Sequence, residues 1–134
     1  MVNTVDICEN TALIIACQNN NYGITKFLLD EFSVINIVNN CNKTALIYAT
    51  ENNNFEIVKL LVEYGANINV GMYHDGPPLK YALENKNITI IKYLIDHGAE
   101  LLFINNPNFN LFNSDCNYID FEIIKYLLKY GIDI

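Results

Sequence analysis

The stretch TALIYATENNNFEIVKLLVEYGANIN, residues 44–69, reads as a helix, a polar break, a second helix and a glycine stop. Ile57, Leu60 and Leu61 fall on one helical stripe, and a stripe on so short a helix must be covered from outside. Asn54 stands where an N-cap belongs, since its side-chain oxygen can accept from the free amides of the helix that follows. Gly65 stands where a left-handed stop belongs. The stretch holds no nucleophile with a base, no metal-ligand cluster and no phosphate loop. Its meaning depends on whether it occurs once.

It recurs. TALIIA at 11–16 returns as TALIYA at 44–49 and as PPLKYA at 77–82, each 33 residues after the last. The second half keeps the same phase: ITKFLL at 24–29, IVKLLV at 57–62, IIKYLI at 90–95 and IIKYLL at 123–128. Four units follow, at about 5–36, 37–69, 70–102 and 103–134, within one domain. The punctuation agrees. Asn21, Asn54, Asn87 and Asp120 are expected to cap the second helices, and Gly65, Gly98 and Gly131 to stop them. Phe32 replaces that glycine in the first unit, which predicts a less regular exit. Thr11 and Thr44 can cap the first helices; Pro77 cannot, and Pro78 takes the favourable first helical position instead. Between the helices, Asn20 and Asn53 accept a left-handed conformation more readily than Lys86 and Ile119 do.

On these motifs the chain resembles the ankyrin-repeat family over nearly its entire length. The family's T-P-L-H-x-A stretch appears as TALIIA, TALIYA and PPLKYA, and its E-I-V-x-L-L-x-x-G-A-D-V-N stretch as EIVKLLVEYGANIN at 56–69. The resemblance implies an all-α solenoid of four helix-turn-helix units with β-hairpin fingers between them, the fingers and first helices forming a concave face. Two departures stand out. The family's His is replaced by Ile14, Ile47 and Lys80, and the fourth unit carries Asp115 where the others have Ala, so its first helix is expected to diverge.

Composition bounds the function. The 134 residues are 51% apolar, enough for a core, and carry 8 basic against 15 acidic residues, net −7. Every basic residue is Lys, so neither the clustered cations of a nucleic-acid partner nor bidentate arginine clamps are present. No run reaches the roughly 18 apolar residues that span a bilayer. The first twenty residues, with Asp6, Glu9 and no Lys, lack the cationic start of a secretory signal. A soluble protein of the cytoplasm is expected, without a nucleic-acid or membrane partner.

The residues that could carry chemistry do not converge. Cys8 and Cys41 share one repeat position, and Cys17 and Cys116 another. Equivalent positions in stacked helical units lie roughly 10 Å apart, beyond disulfide reach, so free thiols are expected. His97 falls in a last helical turn, where packing explains it, and His74 at a finger beside Tyr73 and Asp75. Glu51, Glu56, Glu63 and Glu84 follow the repeat phase on helix surfaces rather than pairing as an acid and a base. No catalytic residue, cofactor or metal is assigned.

The resemblance places partner contacts just before each first helix and at its far end. Those positions are Asn40, Cys41, Lys43, Glu51 and Asn52 in the second unit, and Tyr73, His74, Glu84 and Asn85 in the third. Asn106, Phe109 and Tyr118 complete the set in the fourth. Tyr73, Phe109 and Tyr118 are the expected anchors, because large rings give contact area at small entropic cost; each could equally pack within its own fold. The function expected is non-catalytic binding of a partner protein, one with a basic patch to match the acidic charge. The alternative is a self-associating scaffold using an uncovered C-terminal unit. The short Asn-, Ile- and Lys-rich chain is also similar to stand-alone ankyrin proteins of large DNA viruses and intracellular microbes, which implies interception of host factors in the host cytoplasm or nucleus.

Overall fold

Short amphipathic helices bounded by caps and stops dominate the computed structural model, which describes residues 4–31, 33–71, 75–105 and 120–132. Three first-type helices of seven residues are α1 (Ala12–Gln18), α3 (Ala45–Glu51) and α5 (Pro78–Glu84). Four second-type helices of nine residues are α2 (Tyr22–Asp30), α4 (Phe55–Glu63), α6 (Ile88–Asp96) and α7 (Phe121–Lys129). A 3-10 turn spans Leu102–Asn105. The divergent half of the fourth unit, with Asp115, Cys116 and Ile119, lies outside the described residues, as does Phe32.

Local chemistry sets the ends of these helices. The Thr11 and Thr44 hydroxyls accept from the Ile14 and Ile47 amides, and the Asn21, Asn54 and Asn87 side chains from the Ile24, Ile57 and Ile90 amides. Each such cap is worth about 1 kcal/mol. Pro77 precedes α5 without a side-chain cap bond, and Pro78 opens it. Asp120 differs from the asparagines: it occupies the N-cap of α7 but its carboxylate accepts no cap bond, and only its backbone carbonyl takes the Ile123 and Ile124 amides. The stops share one geometry. Gly65, Gly98 and Gly131 have φ of 95°, 99° and 79°, and the next amide reaches back to the Leu61, Leu94 or Leu127 carbonyl.

The first helices stop in the same way without glycine. Asn20, Asn53 and Lys86 have φ of 56°, 57° and 55°, and the following residue, itself the next N-cap, donates to Ala16, Ala49 or Ala82. Lys86 therefore takes the left-handed conformation that its side chain disfavours, because the repeat geometry demands it.

Stacking buries the stripes. The α1, α3 and α5 row packs more closely than the α2, α4, α6 and α7 row, so the stack curves toward the first helices. Leu13, Leu46 and Leu79 of one row and Leu28, Leu61, Leu94 and Leu127 of the other feed a continuous core, each contributing about 1.5–3 kcal/mol of apolar burial. Small residues allow the close inner approach: Ala16, Ala49 and Ala82 are all buried between the helices.

Candidate inner-face interface

The fingers are built from polar side chains that fold the backbone around themselves. The Asn39 side-chain oxygen accepts from the Cys41 and Lys43 amides, both at 3.0 Å. One unit earlier Asp6 accepts from the Cys8 amide at 2.8 Å and the Asn10 amide at 2.9 Å. These bonds, the Asn10 amide first, hold the Asp6 carboxyl below its usual pKa. Glu9 and Asn42 turn each loop with φ of 61° and 58°. Among the described residues the fingers hold no strand and one isolated bridge, between Val5 and Thr11, so the expected β-hairpins are instead turns closed by a few backbone and side-chain hydrogen bonds.

Successive fingers interlock. The buried Asn39 amide donates to the Asn10 side-chain oxygen and to the Tyr48 hydroxyl, both at 2.8 Å, and the Asn40 amide donates to the Cys8 carbonyl at 3.2 Å. Buried amides in a satisfied network fix geometry, since leaving any member unpaired costs about 1–3 kcal/mol. In the third finger the Gly76 amide donates to the Gly71 carbonyl at 3.0 Å, and a Cβ on Gly71 would meet the Gly76 oxygen at 2.6 Å. Only glycine fits there.

Below the fingers, charges and rings alternate along the inner helices. Lys43 Nζ lies 2.5 Å from Glu51 Oε1, both half-buried, and 5.5 and 5.4 Å from the Tyr48 and Tyr81 ring centres. Burial pulls the Lys43 pKa down, but the Glu51 carboxylate outweighs it and the net shift is upward. Lys43 is thus held as a cation and cannot serve as a base near neutrality. Lys80 Nζ lies 3.6 Å from Glu84 Oε1, 5.4 Å from the Tyr81 ring, and donates to the Asp75 carbonyl at 2.7 Å. Burial raises the Tyr81 phenol above its ordinary value.

The residues expected to meet a partner divide into four groups. Asn40 and Cys41 project from the second fingertip, and Lys43, Glu51 and Glu84 gather on the inner face. Asn52 and Asn85 are exposed, but their amides are engaged: Asn52 donates to the Cys17 and Gln18 carbonyls, Asn85 to those of Thr50 and Glu51. They tie each unit to the helix end before it. Tyr73, His74, Asn106, Phe109 and Tyr118 lie outside the described residues.

Sequence reasoning missed Ile7, Tyr48, Tyr81 and Lys80. Ile7 is 97% exposed at the first fingertip, and it shares its phase with Asn40 and Tyr73, which was the available signal. Tyr48, Tyr81 and Lys80 lie inside the stretches that define the repeat, so they read as helix signature rather than as surface.

The outer side carries different chemistry. Tyr64 Oη donates to the Asp30 carboxylate, which Lys26 also holds at 3.2 Å, and Tyr126 and Tyr130 donate to Asp96, each at 2.5 Å. The Tyr64 bond, then Lys26, lowers the Asp30 pKa, and Tyr126, then Tyr130, lowers that of Asp96. His97 caps α6 and stacks on Tyr93 with ring centres 4.0 Å apart. Glu56 and Glu63 sit on this outer row, away from Glu51 and Glu84.

Cys8, Cys17 and Cys41 are free thiols, and burial pushes the Cys17 pKa up to about 12, so it is inert. Cys116 lies outside the described residues. Among the described residues no group of three or more His, Cys, Asp or Glu could hold a metal, and no helix is long and apolar enough to cross a membrane.

No curated relative matches the sequence. A family model for ankyrin repeats, three copies long, matches residues 1–72 and again 35–108. Ankyrin repeats are in general protein-interaction modules. With the 33-residue period, the paired helices and the glycine stops already in place, that match shows that the chain belongs to the ankyrin-repeat family.

Proposed function

We propose that the chain is a non-catalytic module that seats a partner protein against its fingertips and inner helices. One observation carries the reading: the fingertip backbone is locked by Asp6 and Asn39 while Ile7, Cys8, Asn40 and Cys41 stay exposed at the tips. A surface fixed before binding loses little entropy on binding. Beneath it, the half-buried Tyr48 offers ring surface beside charges that are already paired, with the buried Tyr81 ring behind Lys43.

Because Lys43 and Lys80 are neutralised by Glu51 and Glu84, the net charge of −7 is left to act on the partner. A basic patch on that partner would speed encounter and make the rate fall with salt. Tyr73, Phe109 and Tyr118 remain the proposed anchors, with His74 and Asn106 beside them. The finer reading, interception of host signalling factors in the host cytoplasm or nucleus by a viral or microbial protein, is supported by the resemblance in composition.

Affinity capture from host lysate, followed by mass spectrometry, tests the reading. A partner should be retained by the wild-type chain and by an outer-row variant such as Lys92→Ala. It should be lost on Ile7→Asp combined with Tyr73→Ala and Phe109→Ala. Retention by the triple variant at wild-type yield would refute the proposed surface.

A further inference from the structure

The two ends of the stack differ from its interior in a complementary way. Ile24 is 52% exposed, whereas Ile57, Ile90 and Ile123, at the same repeat position, are at most 1% exposed. Phe27 is 61% exposed, whereas its counterpart Leu60 is buried and Tyr93 and Tyr126 are half-buried. These side chains point toward the preceding unit, and among the described residues none packs on the far side of the α1–α2 pair. At the other end Leu128 is 52% exposed, while of its counterparts Leu29 and Ile95 are buried and Val62 is half-buried. What covers an Ile24-type surface inside this molecule is a Leu128-type surface.

Charge selects the same partner. The last helical residue is acidic in the first three units, Asp30, Glu63 and Asp96; Tyr64 and Tyr130 of the next unit donate to Asp30 and Asp96, and His97 stands at the same repeat position after Glu63. Both places change at the ends. Lys129 stands where the acids stand, and Glu31 stands where the rings stand. Stacking the fourth unit of one copy under the first unit of another, in the register of the internal junctions, brings Lys129 to Glu31 as an opposite-charge pair. The first unit also presents Asn19, the counterpart of Asn52 and Asn85, whose amides bind the helix end of the unit before them.

From this we infer that a second copy of the chain covers the α1–α2 face with its α7 end, in a head-to-tail contact that extends the solenoid. In a repeat stack an apolar face of this kind is one that a neighbouring unit covers. Such a contact uses two different surfaces, so it closes to a ring or continues as a filament rather than stopping at a two-fold dimer.

The inference stands apart from partner binding, and its test needs only the 134-residue chain, under reductant so that Cys8 and Cys41 stay as thiols. Sedimentation equilibrium from micromolar to millimolar concentration should give a weight-average mass rising above 15.3 kDa. Phe27→Asp, which blocks one end, and Leu128→Asp, which blocks the other, should each be monomeric alone and should form a discrete dimer when mixed. Lys129→Glu and Glu31→Lys should each weaken association about fivefold, and the double reversal should restore it. Far-UV circular dichroism should show every variant folded, since all four positions are exposed. A constant monomer mass, a mixture that stays monomeric, or a double reversal no better than the singles would overturn the inference.

Discussion

Ile24 and Ile57 begin the same motif one repeat apart, yet one is half in water and the other is sealed. Neither helix propensity nor local sequence distinguishes them. The difference is the neighbour in the row of second helices: α4 has α2 on one side and α6 on the other, whereas α2 has, among the described helices of that row, α4 alone. In a stack, a residue's worth is set by where its unit stands rather than by what its unit is.

The largest test of that contrast is a matched pair of truncations. Ile57→Ala should cost about 3 kcal/mol in denaturant unfolding, because it removes packed methyls and leaves a cavity. Ile24→Ala should cost under about 0.5 kcal/mol, as exposed substitutions do. Equal losses would mean that position in the stack does not govern burial.

The fingers offer the second contrast, again between the first and second units. Asn39 is buried and its side chain makes four hydrogen bonds, whereas Asp6, its counterpart, is exposed. Asn39→Ala should destabilise the fold by about 2 kcal/mol, through the Asn10 and Tyr48 groups left unpaired. Asp6→Ala should cost well under half of that, and hydrogen exchange at Cys8 and Asn10 should rise locally. A larger loss at Asp6 than at Asn39 would break the parallel between the fingers.

Moving one unit on gives a smaller effect of opposite sign. Lys86→Gly should stabilise by about 1 kcal/mol, since glycine takes the left-handed conformation without the Cβ cost, while Asn53→Gly should be close to neutral. A thermal melt that falls for Lys86→Gly would show that the lysine contributes something at that turn that its backbone does not reveal.

Acid separates the two faces last. The Asp30 and Asp96 carboxyls on the outer row sit below their ordinary pKa in the fold, so their contribution is present above the unfolded carboxylate range and fades as pH falls through the folded value. Asp6 behaves alike at the first finger. Lowering the pH from neutrality through that range should therefore reduce the melting temperature slightly, and Asp96→Asn should flatten that slope. The Lys43–Glu51 bond shifts the lysine upward, so the lysine's share is present at neutral pH and is lost as pH rises through its folded value.

Much of this was legible in the sequence because a repeat states its own grammar several times. The caps at 21, 54 and 87 and the stops at 65, 98 and 131 could be read since phase, not a single motif, identified them. The site was less legible. Asn52 and Asn85 look like free polar groups at a helix end, and only three dimensions reveal the carbonyls they bind in the unit before. Tyr48 and Tyr81 were hidden for the opposite reason: their places belong to the helix signature, and that the Tyr81 ring borders Lys43 of the preceding unit follows from stacking alone. Asp120 misled by identity, for a residue that caps well by type accepts no cap bond here.

The central claim is that partner binding occupies the inner, fingered side of the stack. Hydrogen–deuterium exchange of the chain with and without its captured partner tests it most directly. Binding should slow exchange at residues 7–10, 40–43, 48–51 and 81–84, and leave 22–30, 55–63 and 88–96 unchanged. Protection confined to the outer helices, with the fingers exchanging as in the free chain, would contradict the account.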